Sequence, residues 1–248
     1  MNTSDTRQPA KTDPAPSAMA VAAFAMVALA GMRGSDTGNH LLRVQHYVQI
    51  LGQRLQSHPR FAAALTDDYL RTLFQWVPLH DLGTVGVPDR ILLKPGSLTP
   101  AEFDMIKIHT TLGFEAIVNA ERTFGLASDP LQIVKELVYS HHEKWDGSGY
   151  PQGLAGEKIP LSARLMAMAD VYDALISDRV YRAGMHHDQA VAIIFQGRES
   201  HFDPDMVDTF IEIQDDFLAI ARRFPDTDQD MQKKIEYMAN AIAEDAEI

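Results

Sequence analysis

Helical spacing runs through almost the whole of this chain and leaves little room for other secondary structure. In LSARLMAMADVYDALIS (161–177), Leu161, Leu165, Met168, Tyr172 and Leu175 recur at intervals of three and four, the spacing of one helix face. TDDYLRTLFQWVPLHDLG (66–83) repeats the pattern with Leu70, Phe74 and Val77, and Pro78 is expected to kink that helix just before His80. TPAEFDMIKIHTTLG opens with Thr99 as N-cap, Pro100 at the first helical position and Glu102 at the third, which is a capping box. SDPLQIVKELVYSHH places Asp129 before Pro130, another helix start. No run alternates apolar and polar residues as a half-buried strand would. The expected fold class is all-α, a helical bundle.

Two stretches lack helical spacing. One is GTVGVPDRILLKPG (83–96). The other is DGSGYPQGLAGEKIP (146–160), which holds four of the 15 glycines. Glycine supplies positive φ and close backbone approach, so the second loop is expected to hold a defined shape.

Composition narrows the chemistry. The 248 residues are 46% hydrophobic, enough for a substantial core. There is no cysteine, which removes disulfides, thiolate zinc sites and cysteine nucleophiles and fits a reducing, cytoplasmic setting. Any metal must be held by histidine and carboxylate, a set suited to iron, manganese, nickel or zinc. A net charge of −12 is a poor match to a nucleic-acid polymer or an anionic membrane, which select stripes of Lys and Arg. A small phosphorylated ligand remains compatible, because bound cations invert the local field.

Residues 1–17 are polar and rich in Pro, Thr and Ser, and read as a disordered tail or linker remnant. The apolar run AMAVAAFAMVALA (18–30) is shorter than the roughly 20 residues a membrane span needs. Its flanks argue against a signal peptide, so 18–31 is read as an apolar lead-in helix. Residues 225–248 form an amphipathic pattern with Met231, Ile235, Met238 and Ile242 on one stripe. The body of the protein is then 32–224.

The informative residues are polar ones on apolar faces. His40 shares a stripe with Val44, Tyr47, Val48 and Leu51, and Asp36 joins it if the helix begins that early. His80 and Asp81 end the Leu70–Phe74–Val77 stripe. His109 follows Met105 and Ile106, His141 follows Leu137, His142 follows Val138, and Asp170 follows Met166 by one turn. A single inward histidine is most simply a core residue bonded to a carbonyl. Five inward histidines with up to three aspartates are different, since burying unpaired carboxylates costs several kcal/mol each. Divalent cations remove that penalty. His40, His80, Asp81 and Asp170 supply one metal, and His109, His141 and His142 a second, with Asp81 able to bridge. His46, His58, His186, His187 and His201 lie in polar or surface contexts and are read as structural or solvated.

The segments SDTGNHLLRVQHY, HDLGTVGVPDRILLKPGSLTPAEFDMIKIH, HHEKWDGSGYPQGLAGEKIPLSARLMAMADVYDAL, SDRVYR and HFDPDMV together resemble the HD-GYP family, a branch of the HD-domain phosphohydrolases, over about Arg33 to Asp208. The resemblance implies an HD-domain bundle with a metal centre of two or three ions in its core, commonly iron or manganese, and a glycine-rich GYP loop. It implies hydrolysis of cyclic di-GMP to linear pGpG, and in some members GMP. It carries over His40, His80, Asp81, His109, His141, His142 and Asp170 as metal ligands, and Arg179 and Arg182 as phosphate-facing cations. Tyr150, with Gly149 and Pro151, forms the named loop, linked in the family to contacts with cyclase-type partners. His80 and Asp81 are the catalytic candidates, with Thr84, Tyr150 and Asp173 placed beside the substrate. The expected reaction is attack of a metal-bridging hydroxide on phosphorus, with a second cation stabilising the departing oxygen. Relatives often carry a regulatory domain before the first helix, and the 18–30 helix offers a route to signal reception or homodimerisation.

Two positions depart from the family pattern. HDLGT carries Thr84 where HDxGK would place a lysine near phosphate. Asp36 stands where members with three metals have a glutamate, one methylene longer, so two metals are expected rather than three. Three function classes follow: a cyclic di-GMP phosphodiesterase, a same-fold hydrolase preferring linear pGpG or another phosphoester, and a nucleotide-sensing binding module.

Overall fold

A computed structural model of the chain describes residues 38–94, 96–178, 183–233 and 235–236, together with Val21, Ala25 and Ala28. Nine helices are named here: α1 (Gly38–Leu55), α2 (Asp67–Trp76), α3 (Asp89–Leu92), α4 (Pro100–Phe124), α5 (Asp129–Ser140), α6 (Leu161–Ile176), α7 (His187–Gln196), α8 (Pro204–Glu212) and α9 (Gln214–Arg223). A 3-10 segment, Val77–Gly86, follows α2 directly. Among the described residues there is no strand, only an isolated bridge between Arg198 and Phe202. The fold is all-α, as the helical spacing requires.

The helix ends follow their sequence signals. Thr99 and Glu102 form the expected reciprocal capping box, and Gly125 ends α4 in the left-handed conformation at φ 62°. Thr66 caps α2 by accepting from the Tyr69 amide, with Asp67 and Asp68 in the favourable first turn. The helix α5 starts at Asp129, as the Asp-Pro pair indicates, with Ser128 as its N-cap. Pro78 acts as expected. The α-helix ends at Trp76 and the chain tightens into the 3-10 segment carrying His80 and Asp81.

The main core joins α1, α2, α5, α6, α7, α8 and α9. Its centre is a nest of rings, with Tyr47 stacked on Phe217 at 4.7 Å and Phe210 edge-on to Phe217 at 4.9 Å. A smaller cluster, Ile117, Val134 and Val138 with Trp76 and Leu79 against it, locks α4 and α5 to the start of the 3-10 segment. The inward histidines come from both sets of helices.

The 1–17 tail lies outside the described residues, as do most of the 18–31 segment and residues 234 and 237–248 of the expected C-terminal helix. Within the last, 228–233 and 235–236 are helical. Among the described residues, no helix is long and apolar enough to cross a membrane.

Candidate metal centre

The break between α2 and α4 determines where Asp81 points. Asp81 sits at φ −102° and ψ 17°, the one non-helical residue inside the 3-10 segment and in a region of backbone space where turn and active-site residues collect. Gly83 then lets this segment touch α4. A Cβ there would lie 1.8 Å from the His109 carbonyl oxygen and 2.6 Å from the Gly113 nitrogen.

Two groups of ligands result. One holds Asp81, His109, His141 and His142, and the other His40, His80 and Asp170; within each group the donor atoms lie within 4.8 Å of one another. Asp81 belongs to both in practice. Its Oδ1 is 3.2 Å from His109 Nε2 and 3.3 Å from His141 Nε2, while its Oδ2 is 3.5 Å from His80 Nε2. His40 Nε2 lies 3.9 Å from Asp170 Oδ1.

The outer ring nitrogens are already committed. Nδ1 of His80 meets the Val77 carbonyl at 3.0 Å, that of His109 the Ile106 carbonyl at 2.7 Å, and that of His141 the Leu137 and Val138 carbonyls, both at 3.1 Å. A neutral ring donating from Nδ1 carries its lone pair on Nε2. These lone pairs therefore converge, and Nε2 of His109 and His141 are only 3.4 Å apart. His80 Nε2 and Asp81 Oδ1 are buried without a hydrogen bond. Such an array is unfavourable unless protons or cations fill it, and the donor set fits divalent cations well. Each of these carbonyls lies one turn back on the histidine's own segment, so the ring orientation is set locally.

The electrostatics agree. Burial lowers the His80 imidazole, but the charge of Asp81 beside it, with Asp170, outweighs this and raises its pKa to about 9. Burial also acts to raise the Asp81 carboxyl, yet His80, His109 and His141 hold it well below the usual carboxylate range. Burial, reinforced by its neighbour His141, pushes His142 well down, so it presents a neutral ring.

Asp173 is placed otherwise than the sequence suggested. It is 1% exposed, and its carboxylate accepts from His40 Nδ1 at 2.9 Å and from Arg43 Nε at 2.6 Å. Both oxygens are taken, so it faces a metal-ligand candidate from behind and is not open to substrate. Burial would raise its carboxyl, but the bonds from His40 and Arg43 lower it to about 2. Arg43 had gone unnoticed, although its position three residues after His40 puts it beside that ligand on α1. It also reaches the Phe224 carbonyl at 2.9 Å and Asp226 at 3.1 Å.

Glu143 was the other missed residue. It is buried and accepts from the Gln152 amide at 2.7 Å and the Leu154 amide at 3.0 Å, which ties the glycine loop to the end of α5. Gly149 lies so close that a Cβ would meet the Lys144 nitrogen at 2.3 Å. Within this frame Tyr150 stacks on His142 with ring centroids 4.8 Å apart. The acid directly after the HH pair was the available signal. Thr84 donates its hydroxyl to the Asp81 carbonyl at 2.7 Å. Asp36, Arg179 and Arg182 lie outside the described residues.

An all-helical bundle that gathers five histidines around a shared aspartate is a scaffold able to hold divalent metal. The family model described as HD domain matches residues 49–206. The chain belongs to the HD-domain family, and its loop and ligand motifs place it in the HD-GYP branch. It is 52% identical over 208 residues to a "Probable cyclic di-GMP phosphodiesterase" of Vibrio cholerae, covering 84% of this chain and 47% of that one. It is 41% identical over 151 residues to a "Cyclic di-GMP phosphodiesterase" of Thermotoga maritima, covering 61% of this chain and 39% of the relative. The chain thus spans about half or less of the length of these curated relatives. The fold is shared with a solved HDG"Y"P protein from Bdellovibrio bacteriovorus at a TM-score of 0.50 and 19% identity, covering 78% of this chain and 57% of that one.

Proposed function

We propose that the chain is a metal-dependent phosphodiesterase that hydrolyses cyclic di-GMP to pGpG, with GMP as a candidate further product. The observation that carries this reading is Asp81, whose two oxygens face two separate histidine groups. The names of the relatives from Vibrio cholerae and Thermotoga maritima support the substrate.

His40, His80, Asp81 and Asp170 would hold one cation, and Asp81, His109, His141 and His142 the other. The cations are iron or manganese, with nickel and zinc as the next candidates, and Asp36 is too short to make a third ion strong. Bound cations supply an acidified water and neutralise phosphate charge. The protein supplies the rest. Main-chain carbonyls hold the rings of His80, His109 and His141 with Nε2 turned inward. Tyr150 closes one side of the site, and Arg179 and Arg182 are assigned to the phosphate oxygens by their place in the family motif. The glycine loop is assigned to contacts with a cyclase-domain protein. The reading places the protein in the cytoplasm, with residues 32–224 as the hydrolase domain and the 18–31 helix available to a regulatory domain or a homodimer.

Thr84 supports a second reading, a preference for linear pGpG. Its hydroxyl is committed to the Asp81 carbonyl, so no cation stands there to meet the cyclic phosphodiester. Elemental analysis of the purified protein, with turnover measured on cyclic di-GMP, pGpG and other phosphoesters, separates the readings. Two ions per chain with cyclic di-GMP converted to pGpG is the expected result. Turnover of pGpG alone selects the second reading, and binding without turnover identifies a nucleotide sensor.

A further inference from the structure

A line of rings runs from the metal-ligand candidates to the surface. His142 stacks on Tyr150 at 4.8 Å and 27°. Tyr150 meets Phe103 edge to face at 6.2 Å and 85°. Phe103, in the first turn of α4, is 44% exposed. Lys107, one turn further along the same face, sets its ammonium 4.8 Å from the Phe103 ring centre and 5.8 Å from that of Tyr150. Its ion-pair partner is Asp104 at 2.8 Å, whose side chain is 69% exposed.

An exposed phenylalanine alone needs no special explanation. Phe103 also stands at the fourth helical position, where it can pack on Leu98 before the cap. Neither point accounts for a cation held against both rings at the rim of a metal site. An exposed aromatic face beside a positive charge is suited to a purine base whose edge carries acceptors. Guanine offers O6 and N7 as acceptors, whereas adenine replaces O6 with an amino donor that a lysine would repel.

We propose that Phe103 and Lys107 form a guanine subsite at the rim of the metal centre, with Phe103 stacking on the base and Lys107 reading O6 and N7. The proposal rests on the cyclic-dinucleotide reading and narrows it to guanine at one of the two bases. Lys107 is then a specificity residue, since its contact to Asp104 is an exposed pair of small energetic weight.

The test uses the metal-loaded full chain and compares kcat/KM for cyclic di-GMP and cyclic di-AMP in wild type, Phe103→Ala, Phe103→Tyr and Lys107→Met. Phe103→Ala should raise KM for both dinucleotides by about fivefold or more, because every base has a face to stack. Phe103→Tyr keeps an aromatic face and should hold KM within about twofold of wild type; a KM as high as that of Phe103→Ala would count against stacking. Lys107→Met should reduce the preference for cyclic di-GMP over cyclic di-AMP by about fivefold or more. Metal content is measured on each variant, and a variant that loses metal with its KM change counts against a subsite. Equal effects of Lys107→Met on the two substrates, or no effect of Phe103→Ala on KM, overturns the proposal while leaving the phosphodiesterase reading standing. If wild type turns over neither substrate, that reading fails, and equilibrium binding of cyclic di-GMP to the same variants judges the subsite by the same ratios.

Discussion

Replacing Asp173 by asparagine tests whether half of the metal centre depends on a charge placed behind it. The carboxylate lies 2.9 Å from His40 Nδ1 and 2.6 and 2.9 Å from Arg43 Nε and Nη2, almost wholly out of water. Asparagine keeps the shape and one acceptor, but removes the charge and turns an amide toward existing donors. Taking one partner from a buried ion pair costs about 3–5 kcal/mol. Arg43 retains Asp226 at 3.1 Å and the Phe224 carbonyl at 2.9 Å, so the low end applies, about 3 kcal/mol. The second effect is on metal. A carboxylate behind a ligating histidine fixes its tautomer and orientation, and its loss weakens binding about 10–100-fold. That loss should fall on an ion bound at the His40, His80 and Asp170 group. Urea unfolding of the metal-free protein reads the first effect, and chelator competition reads the second. Manganese electron paramagnetic resonance adds a signature, the change from a coupled pair to an isolated ion. If both ions weaken equally, or neither does while stability falls, Asp173 is only a structural residue and the argument is wrong.

Three further outcomes follow from the same geometry. Asp81→Ala should abolish turnover and leave fewer than two ions per chain, because the two histidine groups would then face each other with no shared anion; two retained ions by elemental analysis would count against the bridging role. Thr84→Lys should raise kcat/KM for cyclic di-GMP by about one to two decades, the worth of a charge-assisted hydrogen bond, and raise it less for pGpG; equal effects on the two substrates would remove the argument from the missing lysine. Burial, with Lys144 nearby, lowers the His201 pKa from 6.5 to about 4, so between those values the unfolded chain takes up a proton that the native protein refuses. Stability therefore falls on acidification through that window, by up to about 2 kcal/mol between pH 7 and pH 5, and unfolding curves of His201→Gln at the two pH values should lack that increment.

The bundle was legible because its helices announce themselves locally. Thr99, Pro100 and Glu102 state where α4 begins, and Pro78 states where α2 must stop being regular. The ligand candidates were legible because histidine and aspartate on apolar stripes are costly. The partners behind them were not. The sequence reading placed Asp173 beside the substrate and Asp170, three residues earlier on α6, among the ligands, yet Asp173 faces His40 and Arg43 from behind the cluster. Side-chain direction at that level depends on the angle at which α1 crosses α6. Glu143 was hidden for a related reason. Its two acceptor bonds go to amides nine and eleven residues later, and no periodicity encodes a loop folding back on its own start. The role of Phe103 needed the position of Tyr150, which the glycine loop sets from a distant part of the chain.

The contact between Gly83 and α4 has a consequence for how such a centre can vary. With Gly113 facing Gly83, the 3-10 segment and α4 are pressed together main chain to main chain, and α5 rests on the same spot through the Val138 side chain, which a Cβ at 113 would meet at 2.6 Å. The spacing of Asp81 from His109 is then a property of the backbone rather than of the residues lining the pocket. Side chains at the rim are free to diversify toward one dinucleotide or another, while the inner cage keeps its dimensions. A change at either glycine would do the reverse, leaving every recognition residue in place and spreading the cage apart.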